Sequence, residues 1–408
     1  MFDEEDSHVS IPAWTENYHT VRLFSVCRLL SAKVTPEQMS ENSVFHYSIP
    51  NVQTVGTGVE EDGSSIASDK LLISEPCVLI SKLNPRKSTV CLASPQSMLS
   101  VASTEFVSIT AGDDTGNRYL FWVLRSSIIT QYLSSIVSST TNSHQRVQPS
   151  DVYGMDIPWP AKETRTAIYQ YLDRETGEID AMLAKLTSLS ELVSERRREI
   201  VRSVLKSVGQ TVRLGLVVDV VSGSGFPDKF QGVPDEELPF YKVSSLSNMD
   251  RQVLIDSGNT VSREIADQLG ARVIPSQSVV MAKIGAALLL ARYALTSRPS
   301  CIDNNMQALV PHRDVIVSRF LAYAMEDVSI PSLVKSGPVP SLDVMGMKMS
   351  RIAFSPSIKE QCRIADHLDE VTGRIDAMLT KIDELKALLV ERRAALISDV
   401  VTGRKKVA

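Results

Sequence analysis

No run of eighteen or so apolar residues, the length a membrane-spanning helix needs, occurs anywhere in the 408-residue chain. The start, Met1-Phe-Asp-Glu-Glu-Asp6, is acidic where a secretory leader is basic and then apolar, so a cytoplasmic location with no membrane partner is the expectation. Cysteine is scarce. Cys27, Cys77, Cys91, Cys301 and Cys362 are odd in number and scattered, with no CxxC pair and no histidine at ligand spacing. That spacing argues against a disulfide framework and a zinc site and leaves reduced core thiols. A basic excess is also missing: 43 Lys and Arg stand against 48 Asp and Glu, a net charge of -5. Phosphate contacts usually show as surplus positive charge. Charge acts only over about 8 to 10 Å at moderate salt, however, so local basic loops remain compatible with an acidic chain.

Catalytic signatures are lacking as well. There is no GxSxG elbow, no HExxH and no kinase set, and the six histidines are dispersed. Gly223-Ser-Gly225 is followed by neither a third glycine nor a GKS or GKT, so it makes a poor phosphate loop. Asn84-Pro85-Arg86 lacks the second proline and the aromatic of an amino-methyltransferase motif. The chain reads as a non-enzyme that binds no cofactor or metal of its own. With 43% apolar and 22% charged residues it has the composition of a folded protein, and its length suits two domains with connecting elements.

What is present is a repeat. Leu172-Asp-Arg-Glu-Thr176-Gly177-Glu-Ile179-Asp180-Ala-Met182-Leu183 is matched by Leu368-Asp-Glu-Val-Thr372-Gly373-Arg-Ile375-Asp376-Ala-Met378-Leu379, and Glu195-Arg-Arg197 by Glu391-Arg-Arg393, all at one offset of 196 residues. Fainter echoes lie upstream: Thr20-Val-Arg-Leu23 and Thr211-Val-Arg-Leu214, Val78 to Lys82 and Val279 to Lys283, Arg118 to Trp122 and Arg319 to Tyr323. The spacing predicts a pseudo-two-fold duplication. A globular part at 1–160 precedes a helix at 161–208; a second globular part at 209–355 precedes a second helix and basic tail at 356–408.

Apolar residues at Leu368, Val371, Ile375, Met378, Ile382, Leu385 and Leu389 alternate by three and four, a heptad seam. The earlier copy offers Leu172, Ile179, Met182, Leu186, Leu189 and Val193. Gly177 and Gly373 predict a break or kink at the start of each main helix, or a close backbone approach there. Gly403 suits a left-handed cap, followed by Arg404-Lys405-Lys406 beside the negative helix end. Two similar seams in one chain are most economically buried against each other, as an antiparallel coiled coil with a globular part at either end. A stretch such as 176–204 would be about 45 Å long, enough to hold two readers one turn of DNA apart, roughly 34 to 36 Å. The competing reading is a coiled-coil scaffold that oligomerises and binds proteins through its globular parts.

Both globular parts read as mixed α and β, giving an α+β chain overall. Runs rich in β-branched residues predict strands at 71–74, 77–81, 106–110, 217–221 and 279–281, and helical patterning falls at 119–134 and 315–325. Polar loops lie at 57–65, 138–145 and 222–239, where recognition residues usually sit. Lys82, Arg86 and Lys87 in the first copy, with Lys283 and Arg292 in the second, fall at or just after strands and have the donors for phosphates or base edges. A solvated turn is the alternative for each, and recurrence of lysine at 82 and 283 favours contact. His144 and Arg146 in one polar loop, and Lys229 and Lys242 beside the glycine-bearing segment, are candidates of the same kind. Asn305 could read an adenine edge or cap a turn.

At this point the residues resemble a known family, the specificity subunits of type I restriction-modification systems. The strongest match is Ile358-Lys-Glu360-Gln361-Cys-Arg-Ile364 to Leu368-Asp369, continuing through Leu385 and Glu391-Arg392 to Val401-Thr402-Gly403. The earlier copy departs from it, with Lys162-Glu163-Thr164-Arg165 in place of the Glu-Gln pair. Gly223-Ser-Gly-Phe226-Pro227 and Pro239-Phe-Tyr241-Lys-Val243 are similar to the opening of the family's second recognition domain. The resemblance implies two target-recognition domains reading a bipartite double-stranded DNA target and helices that dock two methyltransferase subunits. Restriction and translocation subunits would join them. S-adenosylmethionine, ATP and Mg would then sit on those partners.

Overall fold

The computed structural model describes residue 14 and residues 17–137, 145–247, 253–254, 257–335 and 337–407. Two compact units emerge, one formed by Met1–Leu186 with Glu384–Ala408 and the other by Thr187–Asp383. The chain is a mixed helix and sheet protein.

In the first unit, β1 (Arg28–Leu29), β2 (Cys77–Ser81), β3 (Val90–Ala93) and β4 (Phe106–Thr110) form an antiparallel sheet in the order β1-β4-β2-β3. Every residue of β2 and β4 is buried, because the strand period of two sends alternate side chains into different cores. Val78, Ile80, Val107 and Ile109 pack with the helix α1 (Asp114–Leu124), while Cys77, Leu79, Cys91 and Phe106 pack with Tyr47 and Leu71. That second core is backed by a five-stranded sheet ordered Lys33–Val34, Lys70–Leu72, Ser100–Ser103, Ser43–Tyr47 and Val59–Asp62. The single helix expected over 119–134 is two. α1 ends at Arg125, and Ser126 starts α2 (Ser127–Ser135) by accepting a hydrogen bond from the Ile129 amide. A serine cap here outweighs the continuous apolar patterning.

The first long helix, α3 (Lys162–Ser207), is unbroken. In the second unit β5 (Val218–Ser222), β6 (Val253–Leu254), β7 (Val279–Ala282), β8 (Tyr293–Thr296) and β9 (Met306–Pro311) form a sheet ordered β5-β9-β7-β8-β6. Val279, Met281 and Leu309 face a core shared with α4 (Ser318–Glu326), and Val280, Ala282 and Ala308 face one shared with Tyr241. The second long helix, α5 (Ile358–Val401), is also continuous.

Both long helices contribute to each core. Ile168 and Leu172 join Ile397, Val400 and Val401 in the first unit, and Val201 and Leu205 join Ile364, Ala365 and Leu368 in the second. The break expected at Gly177 and Gly373 does not occur, and a Cβ at either glycine would meet nothing within 4 Å, so no close approach explains them. Next to them Thr176 and Thr372 are buried and return their hydroxyls to the carbonyls of Leu172 and Leu368, which keeps each helix closed through that turn. Gly403 takes φ +74°, the expected left-handed cap.

The less exposed stripe along each long helix differs from the expected seam by a residue. Met182 and Leu189 are 50% and 43% exposed, and Met378 and Leu385 are 51% and 50% exposed. Leu183, Ser190, Leu379 and Lys386 take the half-buried positions instead. Ile179, Leu186, Val193, Ile375, Ile382 and Leu389 are common to both registers, and all are at least partly buried, as are Leu172, Leu368 and Val371. Among the described residues no helix is long and apolar enough to cross a membrane.

Candidate nucleic-acid interface

In the first unit β2 delivers its exit residue, Lys82, to a crowded loop. The Lys82 amide donates to the Glu105 carbonyl at 2.8 Å, and the Lys82 carbonyl accepts from the Val147 amide at 3.1 Å. Arg146 reaches the Glu105 carboxylate at 2.9 Å. The Lys82 side chain is buried rather than solvated, and that burial lowers its pKa; Glu105 opposes the shift, while Arg146 and Lys33 add to it. The chain then turns through Asn84 and Ser88, both left-handed at φ 48° and 46°, around the short 3-10 turn Pro85–Lys87. That turn carries Arg86 and Lys87 on its exposed side. Lys82, Arg86, Lys87 and Arg146 are therefore brought into one loop cluster. His144 lies outside the described residues.

In the second unit Lys283 leaves β7 in the same manner, its amide donating to the Asn305 carbonyl at 2.7 Å and its carbonyl accepting from Leu342 at 2.9 Å. Asp303, 7% exposed, accepts from the Asn305 amide at 2.8 Å. Burial raises the Asp303 pKa, and the backbone donor, Lys242 and Lys283 pull it back. Lys242 donates to the Gln231 side chain at 2.7 Å. Gly223 lies so close that an added Cβ would stand 1.9 Å from the Asp303 carbonyl oxygen, which only glycine permits. Asn305 thus bonds Asp303, and the charges of Lys242 and Lys283 act on it. Arg292 is tied to Ser247 at 3.2 Å, and Lys229 is exposed over the Phe230 ring at 4.7 Å; among the described residues no contact joins either to Asp303.

Sequence reasoning passed over the two acids, Glu105 and Asp303, that organise these basic loops. An Asp-Asn-Asn run after a short strand was a readable turn signal for Asp303. Glu105 carried none.

Polar locks fasten α1 and α4 to the long helices. In the first unit Asp173 accepts from Trp122 Nε1 at 2.8 Å and Arg118 Nη1 at 3.4 Å; in the second Asp369 accepts from Tyr323 Oη at 2.8 Å and from Arg319. Gln361 is fully buried, donates to the carbonyls of Val315 and Ser355 and accepts from the Val317 amide, so it caps the start of α4. Where the earlier copy departs from the Glu-Gln pair, Arg165 donates to the Pro160 carbonyl at 2.7 Å and lies 4.2 Å over the Trp159 ring. Among the described residues no group of three or more His, Cys, Asp and Glu could hold a metal.

No protein-family model matches the chain, and no curated protein matches it. Solved structures do. A chain from work on complex assembly and conformational transition of the type I R-M system is 19% identical, with 96% of this chain and 99% of that one covered at a TM-score of 0.64. The HsdS subunit from Thermoanaerobacter tengcongensis is 20% identical over 97% and 99% of the two chains, TM-score 0.44. The type I restriction-modification S subunit from M. genitalium is 15% identical over 95% and 98%, TM-score 0.42. The first of these likenesses is one of fold along nearly the full length of both chains.

Proposed function

We propose that the chain is the specificity subunit of a type I restriction-modification complex, reading a bipartite double-stranded DNA target with two recognition domains, 1–160 and 209–355. The observation that carries this reading is the recurrence of one design in both units. A lysine leaves a fully buried central strand and donates its amide to the carbonyl of the residue just before the antiparallel partner strand, Lys82 to Glu105 and Lys283 to Asn305. Basic side chains then gather round a single acid. Such loops on a rigid sheet suit phosphate and base-edge contact, with Arg86, Lys87, Lys242 and Lys283 as donors. In this reading the chain recognises DNA and its partner subunits carry the catalysis.

The long helices would pair antiparallel along 161–208 and 356–408 and set the separation of the readers. Ion pairs Arg393 with Asp180 and Arg197 with Asp376 support that direction: each joins equivalent positions of the two helices in opposite order. The same helices leave equivalent apolar positions exposed, Met182, Leu189 and Leu192 on α3 and Met378, Leu385 and Leu388 on α5. Two like faces would dock two methyltransferase subunits, and restriction subunits would join that core. S-adenosylmethionine, ATP and Mg would belong to those partners.

Selection from random double-stranded DNA by the chain with its methyltransferase subunits tests the proposal. Enriched sites with two defined halves, and affinity falling steeply with salt, are expected. A homo-oligomer that ignores DNA at low salt would favour the scaffold reading instead.

A further inference from the structure

The locks of α1 and α4 on the long helices recur at two fixed offsets, Arg118 and Trp122 answering to Arg319 and Tyr323, and Asp173 answering to Asp369. One turn further the two units part company in charge. Glu326 at the end of α4 answers to Arg125 at the end of α1. In the second unit Arg197 is gripped from two sides, by Glu326 at 2.8 Å and Asp376 at 2.8 Å. Burial works against that cation, and the two carboxylates more than compensate, raising its pKa.

In the first unit Arg393 has Asp180 at 3.3 Å, and its Nε is buried without a hydrogen-bond partner among the described residues. The position that should supply a second carboxylate holds another guanidinium. Arg125 is laid over the rings of Phe121 at 4.9 Å and Trp122 at 5.6 Å, and no acceptor among the described residues takes a hydrogen bond from its side chain. Burial first, and then the charge of Arg393, bring its pKa down to about 10. Two cations share one half-exposed carboxylate in a partly desolvated corner, where an unpaired charge is costly.

We propose that this two-arginine corner receives the carboxylate of an acidic side chain from a docking protein, filling the place that Glu326 fills within the second unit. The inference rests on the docking reading above. Exposed Val390 lies three residues before Arg393, on the same face of α5, so a partner covering it passes over the corner. The two docking faces then differ: one completes its own charge pairing, and the other borrows an acid.

Thermal melting of the full chain in formate and in chloride at equal ionic strength tests the chemistry without any partner. Wild type should melt about 2 °C higher in formate. Arg125→Glu supplies the acid internally and should abolish the shift. Glu326→Arg should create a second one, and if that variant fails to fold, Arg125→Gln should still reduce the first. Equal melting in both salts, or a shift that survives in Arg125→Glu, would overturn the site. Methyltransferase binding to Arg125→Glu should weaken about tenfold. A formate shift with unchanged binding rules out the partner as the source, whereas a wild-type chain that binds no methyltransferase sinks the docking reading and leaves the site standing.

Discussion

Single side chains decide how well each unit holds its helices. Arg197 is largely buried between two carboxylates, so its removal takes a paired cation out of a poorly solvated site. Arg197→Met should cost about 2 to 3 kcal/mol in urea unfolding, below the range for fully buried pairs because Asp376 is half exposed. Arg86→Ala and Lys87→Ala, at exposed positions, should leave stability within about 0.5 kcal/mol. Each should lower the slope of log affinity against log salt by about 1 if it meets a phosphate. An unchanged slope would remove that residue from the interface. Asp303 has its pKa raised above 3.8 by burial, so the folded state holds its proton more tightly than the unfolded chain does. Its contribution to stability is complete below 3.8 and declines as pH rises through the raised value. Urea midpoints of wild type and Asp303→Asn should therefore diverge across that window and run parallel above it. The lysines of both loops were legible as candidates because they recur after similar strands. The acids that hold them were not, since Glu105 meets Arg146 across 41 residues of sequence.

At the scale of elements, periodicity located the long helices and the central strands, but it left one ambiguity that only packing resolves. Met182 and Leu183 are adjacent and both apolar, as are Met378 and Leu379; keeping Leu189 and Leu385 in line selects the methionines. The folded chain instead half-buries Leu183 and Leu379, with Ser190 and Lys386 on the same stripe. The displaced residues are left exposed and apolar, where the proposed docking would cover them. Replacing Met182 and Leu189 together by serine should leave urea stability within about 1 kcal/mol while weakening methyltransferase binding. Loss of folding instead would return those residues to the internal seam. The glycines misled for a related reason: a mid-helix glycine is a weak breaker, and tertiary contacts on either side keep the helix intact. Gly177→Ala and Gly373→Ala meet no steric obstacle and should each stabilise the chain by about 0.5 to 1 kcal/mol.

For the molecule as a whole, the offset of 196 residues is legible because the two helices match most closely in sequence. The globular parts match less, and their likeness lies in strand order and hydrogen bonding more than in residue identity. If the paired helices measure the distance between two readers, removing one heptad from each keeps the seam in register. It should also shorten the pair by about 10 Å, near three base-pair steps of roughly 3.4 Å. The central claim, that two copies of one reader address two parts of one DNA target, is tested most directly by mapping methylated bases in cells that carry this chain with its methyltransferase. The account predicts a motif of two short defined segments separated by a gap of constant length and free sequence. A continuous motif, or methylation that does not depend on this chain, would contradict it.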